Sequence, residues 1–248
     1  MIELKNKEQL QRMRKAGRIV AETLELMKEL VAPGVTTEDL DRAAEEYIVK
    51  CGAIPAFKGY NGFPATLCTS VNEEVVHGIP GLRPLKSGDI ISIDCGAIID
   101  GYVGDSAITL AVGKISTEHQ NLLVVTKNSL AKGIAQAHKG NRLFDISHAV
   151  QTYVEDNTMS VVRDYVGHGI GRKMHEEPQV PNFGKPGRGP RLEVGMVLAI
   201  EPMVNLGGYH VETLENQWTV VTKDRRASAH FEHTVAITED GPEILTRI

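Results

Sequence analysis

Four acidic residues stand inside stretches otherwise suited to buried β-strands: Asp94 in 90–99, Asp105 in 103–112, Glu201 in 196–204 and Glu232 in 229–237. A lone carboxylate in such a setting costs several kcal/mol unless it is paired, protonated or bound to a metal. Asp100-Gly101 separates the first two stretches. That dipeptide favours a two-residue hairpin, since both positions tolerate φ > 0. With this turn Ile99 opposes Tyr102 and Asp94 opposes Ala107, so Asp105 falls diagonally across from Asp94 on one face, with Cβ atoms within about 7 Å. At an effective dielectric of about 20 the two carboxylates repel by a few kcal/mol, so a positive charge is expected between them.

His168, flanked by Gly167 and Gly169 where backbone can approach closely, adds a nitrogen donor. The four carboxylates balance the charge of two divalent cations. Oxygen-dominated ligation with one imidazole suits Mn, Fe, Co or Zn and not a thiolate-rich structural zinc site. Two such ions about 3.5–4 Å apart lower the pKa of a water and polarise a carbonyl, which is hydrolase chemistry. Taken singly, each acid reads as an exposed residue or an arginine partner, and His168 as a structural histidine. Their joint occurrence favours a metal centre. His77 and His175 fit surface or core equally well on composition alone. Gly167-His168-Gly169-Ile170-Gly171 is not a dinucleotide fingerprint, and neither HExxH nor GxSxG occurs.

The elements that must position these residues follow from hydrophobic period. Leu10, Met13, Ile19, Val20, Leu24, Met27 and Leu30 mark a helix over 7–31, with Asn6 and Gln9 as a capping pair and Pro33-Gly34 as its stop. A second helix is expected over Thr37 to Lys50, a third from Thr117, capped through Gln120, to Gly140-Asn141, and a fourth over Asp145 to Asp156. Strands are expected at 89–99, 103–112, 196–204, 209–214, 217–223 and 229–238. The order is helices, strands, helices, strands, and it repeats. A shift of 106 carries Gly34, Asp39, Leu40, Ala43 and Tyr47 onto Gly140, Asp145, Ile146, Ala149 and Tyr153. A shift of 107 carries Asp94 onto Glu201. Two copies of one α+β unit pack most economically about a pseudo-two-fold axis, with merged strands inside and helices outside.

Composition sets the outer limits. The chain has 248 residues, 42% hydrophobic and 24% charged, enough for a sizeable core. No apolar run approaches the roughly 18 residues of a membrane span. The charged opening, Met1 to Glu8, is unlike a secretory signal, so export is not expected. Cys51, Cys68 and Cys95 are odd in number and lack CxxC spacing, consistent with a reducing compartment and with small buried hydrophobes. A net charge of −5 gives no basic footprint for nucleic acid.

These residues, in this order, resemble the type I methionine aminopeptidases, the short bacterial form of the pita-bread metallopeptidases. The resemblance spans almost the whole chain. Its most specific pieces are Val76-His77-Gly78-Ile79-Pro80, Ile93-Asp94-Cys95-Gly96, Gly101-Tyr102-Val103-Gly104-Asp105, Gly167 to Gly171, His175 to Val180, Ile200-Glu201-Pro202 and Phe231-Glu232-His233-Thr234. It implies an α+β pita-bread (creatinase/aminopeptidase) fold and one catalytic domain over 1–248, its halves near 1–112 and 113–248. It implies removal of the initiator methionine from nascent chains, near the ribosome, when the second residue is small.

By position, the resemblance makes Asp94 a chelating ligand of one metal, Asp105 and Glu232 bridging ligands, and His168 and Glu201 ligands of the other. Glu201 is also the proton shuttle, and His77 and His175 hydrogen-bond the substrate and the tetrahedral intermediate. The methionine pocket maps to Phe57, Tyr60, Phe63, Cys68, Met174 and Trp218, and three of the six depart from the usual bacterial choice. Asn72 and Ser228 match positions that help bind a monovalent cation. The family precedent is a cytoplasmic monomer. Only 33 residues separate His168 from Glu201, too few for the type II helical insertion. Rival readings are an Xaa-Pro aminopeptidase or prolidase, which usually carries a further N-terminal domain, and a non-catalytic binding module of the same fold. The Gly/Pro/Arg segment at 183–191 reads as a surface loop.

Overall fold

A computed structural model describes all residues, 1–248. The chain runs α1 (Lys7–Leu30), α2 (Thr37–Lys50), β1 (Ile54–Pro55), β2 (Leu67–Val71), β3 (Glu74–Val76), β4 (Ile90–Ile99) and β5 (Tyr102–Ala111). It continues through α3 (Thr117–Ile134), α4 (Leu143–Asp156), β6 (Ser160–Val161), β7 (Gly167–Gly169), β8 (Glu176–Val180), β9 (Val197–Ile200) and β10 (Met203–Asn205). The last strands are β11 (Val211–Thr213), β12 (Val220–Thr222), β13 (Ser228–His230), β14 (His233–Thr238) and β15 (Gly241–Ile244). All strand pairs are antiparallel. The α+β class expected from the sequence is the class observed, although the strands form four hydrogen-bonded ladders in place of one merged sheet.

Helix α1 starts where its capping pair dictates: Gln9 N–H donates to Asn6 Oδ1 at 2.9 Å and Asn6 N–H to Gln9 Oε1 at 2.8 Å. Its apolar stripe, except Leu30, is buried. Helices α2 and α4 begin 106 residues apart and each spans 14 residues, the offset read from the sequence. The cap of α3 differs from expectation. Ser116, not Thr117, accepts the N–H of His119, at 3.0 Å, and the helix ends at Ile134, before Gly140. Helix α4 opens at Leu143, two residues early. Its first N–H groups are satisfied by the 183–191 loop, where Pro190 C=O accepts from Leu143 and Arg188 C=O from Phe144. That loop is therefore tied down, which its Gly/Pro/Arg composition does not suggest.

The hairpin of β4 and β5 has the expected register, with Ile99 opposite Tyr102, Asp94 opposite Ala107 and Gly96 opposite Asp105. Its turn residues Asp100 and Gly101 take φ of 52° and 74°. The two later acidic stretches are not continuous strands. Glu201 falls between β9 and β10, where Pro202 has no N–H for a ladder. Glu232 falls between β13 and β14, its N–H directed to Ala107 C=O at 2.9 Å. Side chains join the halves here: the Thr109 hydroxyl bonds both His230 N–H and C=O, and the Thr234 hydroxyl bonds both Asp105 N–H and C=O. Apolar clusters pack beneath α1 and α2 on one side and beneath α3 and α4 on the other. Cys68 and Cys95 are buried, Cys51 half-buried, and all three are free thiols.

Candidate metal centre

All five acid and imidazole positions singled out by the sequence line one cavity of about 170 Å³. One donor atom each from Asp105, His168 and Glu232 lie within 4.8 Å of one another, and all three residues are buried. His168 Nε2 is 3.7 Å from Asp105 Oδ2 and 3.5 Å from Glu201 Oε1. Asp94 and Asp105 stand diagonally across the hairpin on one face, Asp94 opposite Ala107 and Asp105 opposite Gly96. The strand geometry explains this: Asp94 and Asp105 share one face of the hairpin, and the two strand breaks turn Glu201 and Glu232 toward it.

Glycines on both sides of His168 let three strands close around it. A Cβ at Gly167 would lie 2.3 Å from Ala199 C=O, and one at Gly169 would lie 2.2 Å from Glu177 C=O. His168 Nδ1 sits 2.9 Å from Gly169 C=O, which as acceptor fixes the proton on Nδ1 and leaves Nε2 as a donor of electrons to a metal. Burial keeps this imidazole neutral by lowering its pKa to about 4.

The acids are strongly perturbed. Burial raises Asp94 to about 7 and Glu201 to about 8. Asp105 and Glu232 rise well above the carboxylate range, first through burial and then through neighbouring carboxylates. No lysine or arginine offsets them: none lines the cavity. Asp94 Oδ1, Asp105 Oδ1 and Glu232 Oε1 are buried without a hydrogen-bond partner. Such atoms are costly to leave unsatisfied, and divalent cations satisfy them. The donor set, mainly carboxylate oxygen with an imidazole nitrogen, therefore fits a divalent metal centre.

Beyond the acids the cavity turns apolar. Phe57, Phe63, Cys68 and Met174 are buried around it, Trp218 meets Phe63 edge-on at 5.1 Å between ring centroids, and Tyr60 closes the exposed rim. Cys68 pairs with Asp94 across β2 and β4, which sets a wall residue of the cavity beside one of its buried acids. Gly96 keeps the space open: a Cβ there would be 2.8 Å from Phe57 Cε1 and 3.1 Å from Met174 Cε.

His77 and His175 reach the same cavity. His77 adopts φ of 59°, a left-handed backbone that costs a non-glycine residue of order 1 kcal/mol and clusters at functional sites. Its ring packs edge-on against Tyr165, and burial lowers its pKa to about 4. The Tyr60 hydroxyl lies 2.8 Å from His175 Nδ1. Burial lowers His175 as well.

Two cavity neighbours escaped the sequence reading. Asn61 lines the rim, in a turn with nothing periodic to mark it. His230 is buried, with Nε2 3.5 Å from Glu201 Oε2. The stretch is broken between His230 and Glu232, so strand alternation gives no spacing signal that would have singled it out.

A model of metallopeptidase family M24 matches residues 11–239. The chain belongs to that family. It is 61% identical over 248 residues to a methionine aminopeptidase of Clostridium perfringens, covering 100% of both chains. The crystal structure of a methionine aminopeptidase from Thermotoga maritima, 46% identical, superposes with a TM-score of 0.99 and covers 100% of both. A prolidase from Pyrococcus horikoshii, 20% identical, shares the fold with a TM-score of 0.79, matching 98% of this chain and 63% of that one. Within M24 the chain is thus an aminopeptidase, a hydrolase of the methionine aminopeptidase type with the pita-bread fold. The prolidase likeness is one of fold alone.

Proposed function

We propose that this chain removes the N-terminal methionine from newly made polypeptides whose second residue is small, with a pair of divalent ions held by Asp94, Asp105, His168, Glu201 and Glu232. The observation that carries the reading is the convergence of buried, unpaired carboxylates on one end of a small apolar pocket. Asp105 and Glu232 would bridge, Asp94 would chelate one ion, and His168 with Glu201 would hold the other. Co, Mn, Fe and Zn all suit these donors. Bound there, the ions would supply an activated water and polarise the scissile carbonyl.

The side chains do the rest. Glu201 takes the proton released by the attacking water and passes it to the departing amine. His77 and His175, neutral through burial, each keep one N–H for substrate oxygen, the fixed-donor role that stabilises developing charge. With the Tyr60 hydroxyl donating to His175 Nδ1, Nε2–H is the one left for substrate. Phe57, Tyr60, Phe63, Cys68, Met174 and Trp218 take up the methionine side chain, whose unbranched thioether suits a soft apolar wall. Asn72 and Ser228, joined by Ser228 N–H to Asn72 C=O at 2.9 Å, would border a monovalent cation. The setting proposed is the cytoplasm, near the ribosome and as a monomer. No helix is long and apolar enough to cross a membrane.

The test couples metal analysis to methionine release from a Met-Gly tripeptide. Release that requires added Co²⁺, Mn²⁺, Fe²⁺ or Zn²⁺ is the expected result. Full loading with each ion and no release would replace the catalytic reading with a binding one, and cleavage confined to Xaa-Pro peptides would replace the substrate.

A further inference from the structure

Glu201 stands between two imidazoles. Its Oε1 is 3.5 Å from His168 Nε2, and its Oε2 is 3.5 Å from His230 Nε2. His230 is 1% exposed, yet its Nε2 has no hydrogen-bond partner. Its place is fixed by backbone. The N–H donates to Thr109 Oγ1 at 2.9 Å, the C=O accepts from the same hydroxyl at 2.8 Å, and the residue pairs with Met203 across β10 and β13. A buried ring nitrogen held this firmly and left unsatisfied calls for a partner, and the carboxylate oxygen facing it is one.

We propose that His230 is a positioning residue of the metal centre: its Nε2–H donates to Glu201 Oε2 and so turns Oε1 toward His168 and the ion those two would share. The inference rests on the metal-dependent reading above. The present separation is at the long end for a hydrogen bond, and such contacts shorten when a site is filled. A ligand carboxylate has two equivalent oxygens and can swing between them. Fixing one through an N–H leaves the other for the metal, the orienting role that partners behind metal ligands play. The same restraint keeps Glu201 aimed at the place where it must take up and release a proton.

The experiment compares wild-type protein with His230→Gln, His230→Leu and His230→Asn, each full length and stripped of metal. Co²⁺ is titrated by calorimetry, with the visible d–d spectrum of bound Co²⁺ as a second readout. Glutamine carries an N–H at nearly the reach of Nε2 but ligates these metals poorly; leucine carries none, and asparagine falls short. Loss of an orienting partner typically costs about 10–100-fold in metal affinity, so the leucine and asparagine variants should weaken one Co²⁺ site by that factor while glutamine stays within about threefold of wild type. The asparagine variant decides the matter if the leucine variant does not fold.

Equal losses in all three variants, with a spectrum showing one nitrogen donor fewer, would make His230 a direct ligand and overturn the proposal. Wild-type affinity in the leucine or asparagine variant would also overturn it. Absence of Co²⁺ binding by the wild type would instead overturn the metal-centre reading itself.

Discussion

Thr234 holds Asp105 by both of that residue's backbone polar groups. The Thr234 hydroxyl accepts from Asp105 N–H at 3.2 Å and donates to Asp105 C=O at 2.7 Å, across the seam between β5 and β14. Glu232, two residues before Thr234, sends its N–H to Ala107 C=O, two residues beyond Asp105. The proposed bridging carboxylates thus come from different halves of the chain and are locked in register by three hydrogen bonds that involve neither carboxylate.

Removing that lock should loosen the centre before it unfolds the protein. Thr234→Val strands a buried N–H and C=O, costing about 1–3 kcal/mol of stability. It should weaken metal binding roughly tenfold or more through misplacement of Asp105. Thr234→Ser should restore both. Thermal melts of metal-free protein and calorimetric Co²⁺ titration check this. A valine variant with wild-type metal affinity would show that the seam bonds serve folding alone.

Charge and donor roles should separate cleanly. Asp105→Asn should abolish turnover and weaken metal binding, because a neutral amide cannot replace a bridging carboxylate. His77→Ala should lower kcat/KM by about 10²–10³-fold, the usual effect of losing one preorganised donor, with metal content intact. Metal analysis beside steady-state kinetics distinguishes the two. Wild-type rates for Asp105→Asn at limiting metal would contradict the bridge.

The pocket gives a test independent of metal. In Gly96→Ala the new methyl would press on Phe57 and Met174, both of which line the cavity proposed to take the methionine side chain. KM for a Met-Gly peptide should rise roughly tenfold, in line with the 1–3 kcal/mol typical of overpacking, while Co²⁺ affinity holds. Unchanged KM would mean that the substrate side chain lies elsewhere.

The sequence made the first half more legible than the second, and the reason is local. Asp94 and Asp105 sit on an uninterrupted hairpin whose Asp-Gly turn fixes register, so their common face follows from alternation alone. Glu201 and Glu232 sit in breaks between short strands, where alternation fails and tertiary hydrogen bonds set direction. Short strands such as β7 and β8 carry little periodic signal and depend on neighbours for pairing. His230 was hidden for a different reason. One histidine beside one acid has no spacing rule, and only the orphaned Nε2 facing Glu201 marks it.

Without metal, the centre should make the fold less stable as pH rises. Burial lifts Asp94 to about 7 and Glu201 to about 8, and it lifts Asp105 and Glu232 in the same direction. The unfolded chain titrates these groups near the ordinary carboxylate value of about 4. Between those limits the folded state binds more protons than the unfolded one, so unfolding free energy falls with pH. The stabilisation from this protonation is complete below about pH 4 and is lost through pH 7 to 8 as the acids ionise against one another. His77, His168 and His233, lowered to about 4 by burial, have the opposite linkage: their unfolded imidazoles bind protons up to about pH 6.5, so they oppose the loss below that pH and leave it unopposed above. Divalent ions should reverse the slope, since they bind the ionised acids and their affinity grows as protons leave. Tm measured in chelator should therefore decline from about pH 7 to about 8.5, where the unfolded histidines are already neutral, and Tm with saturating Mn²⁺ should hold or climb. A metal-free Tm that rises with pH over that range would mean that the four carboxylates are paired by something other than a cation.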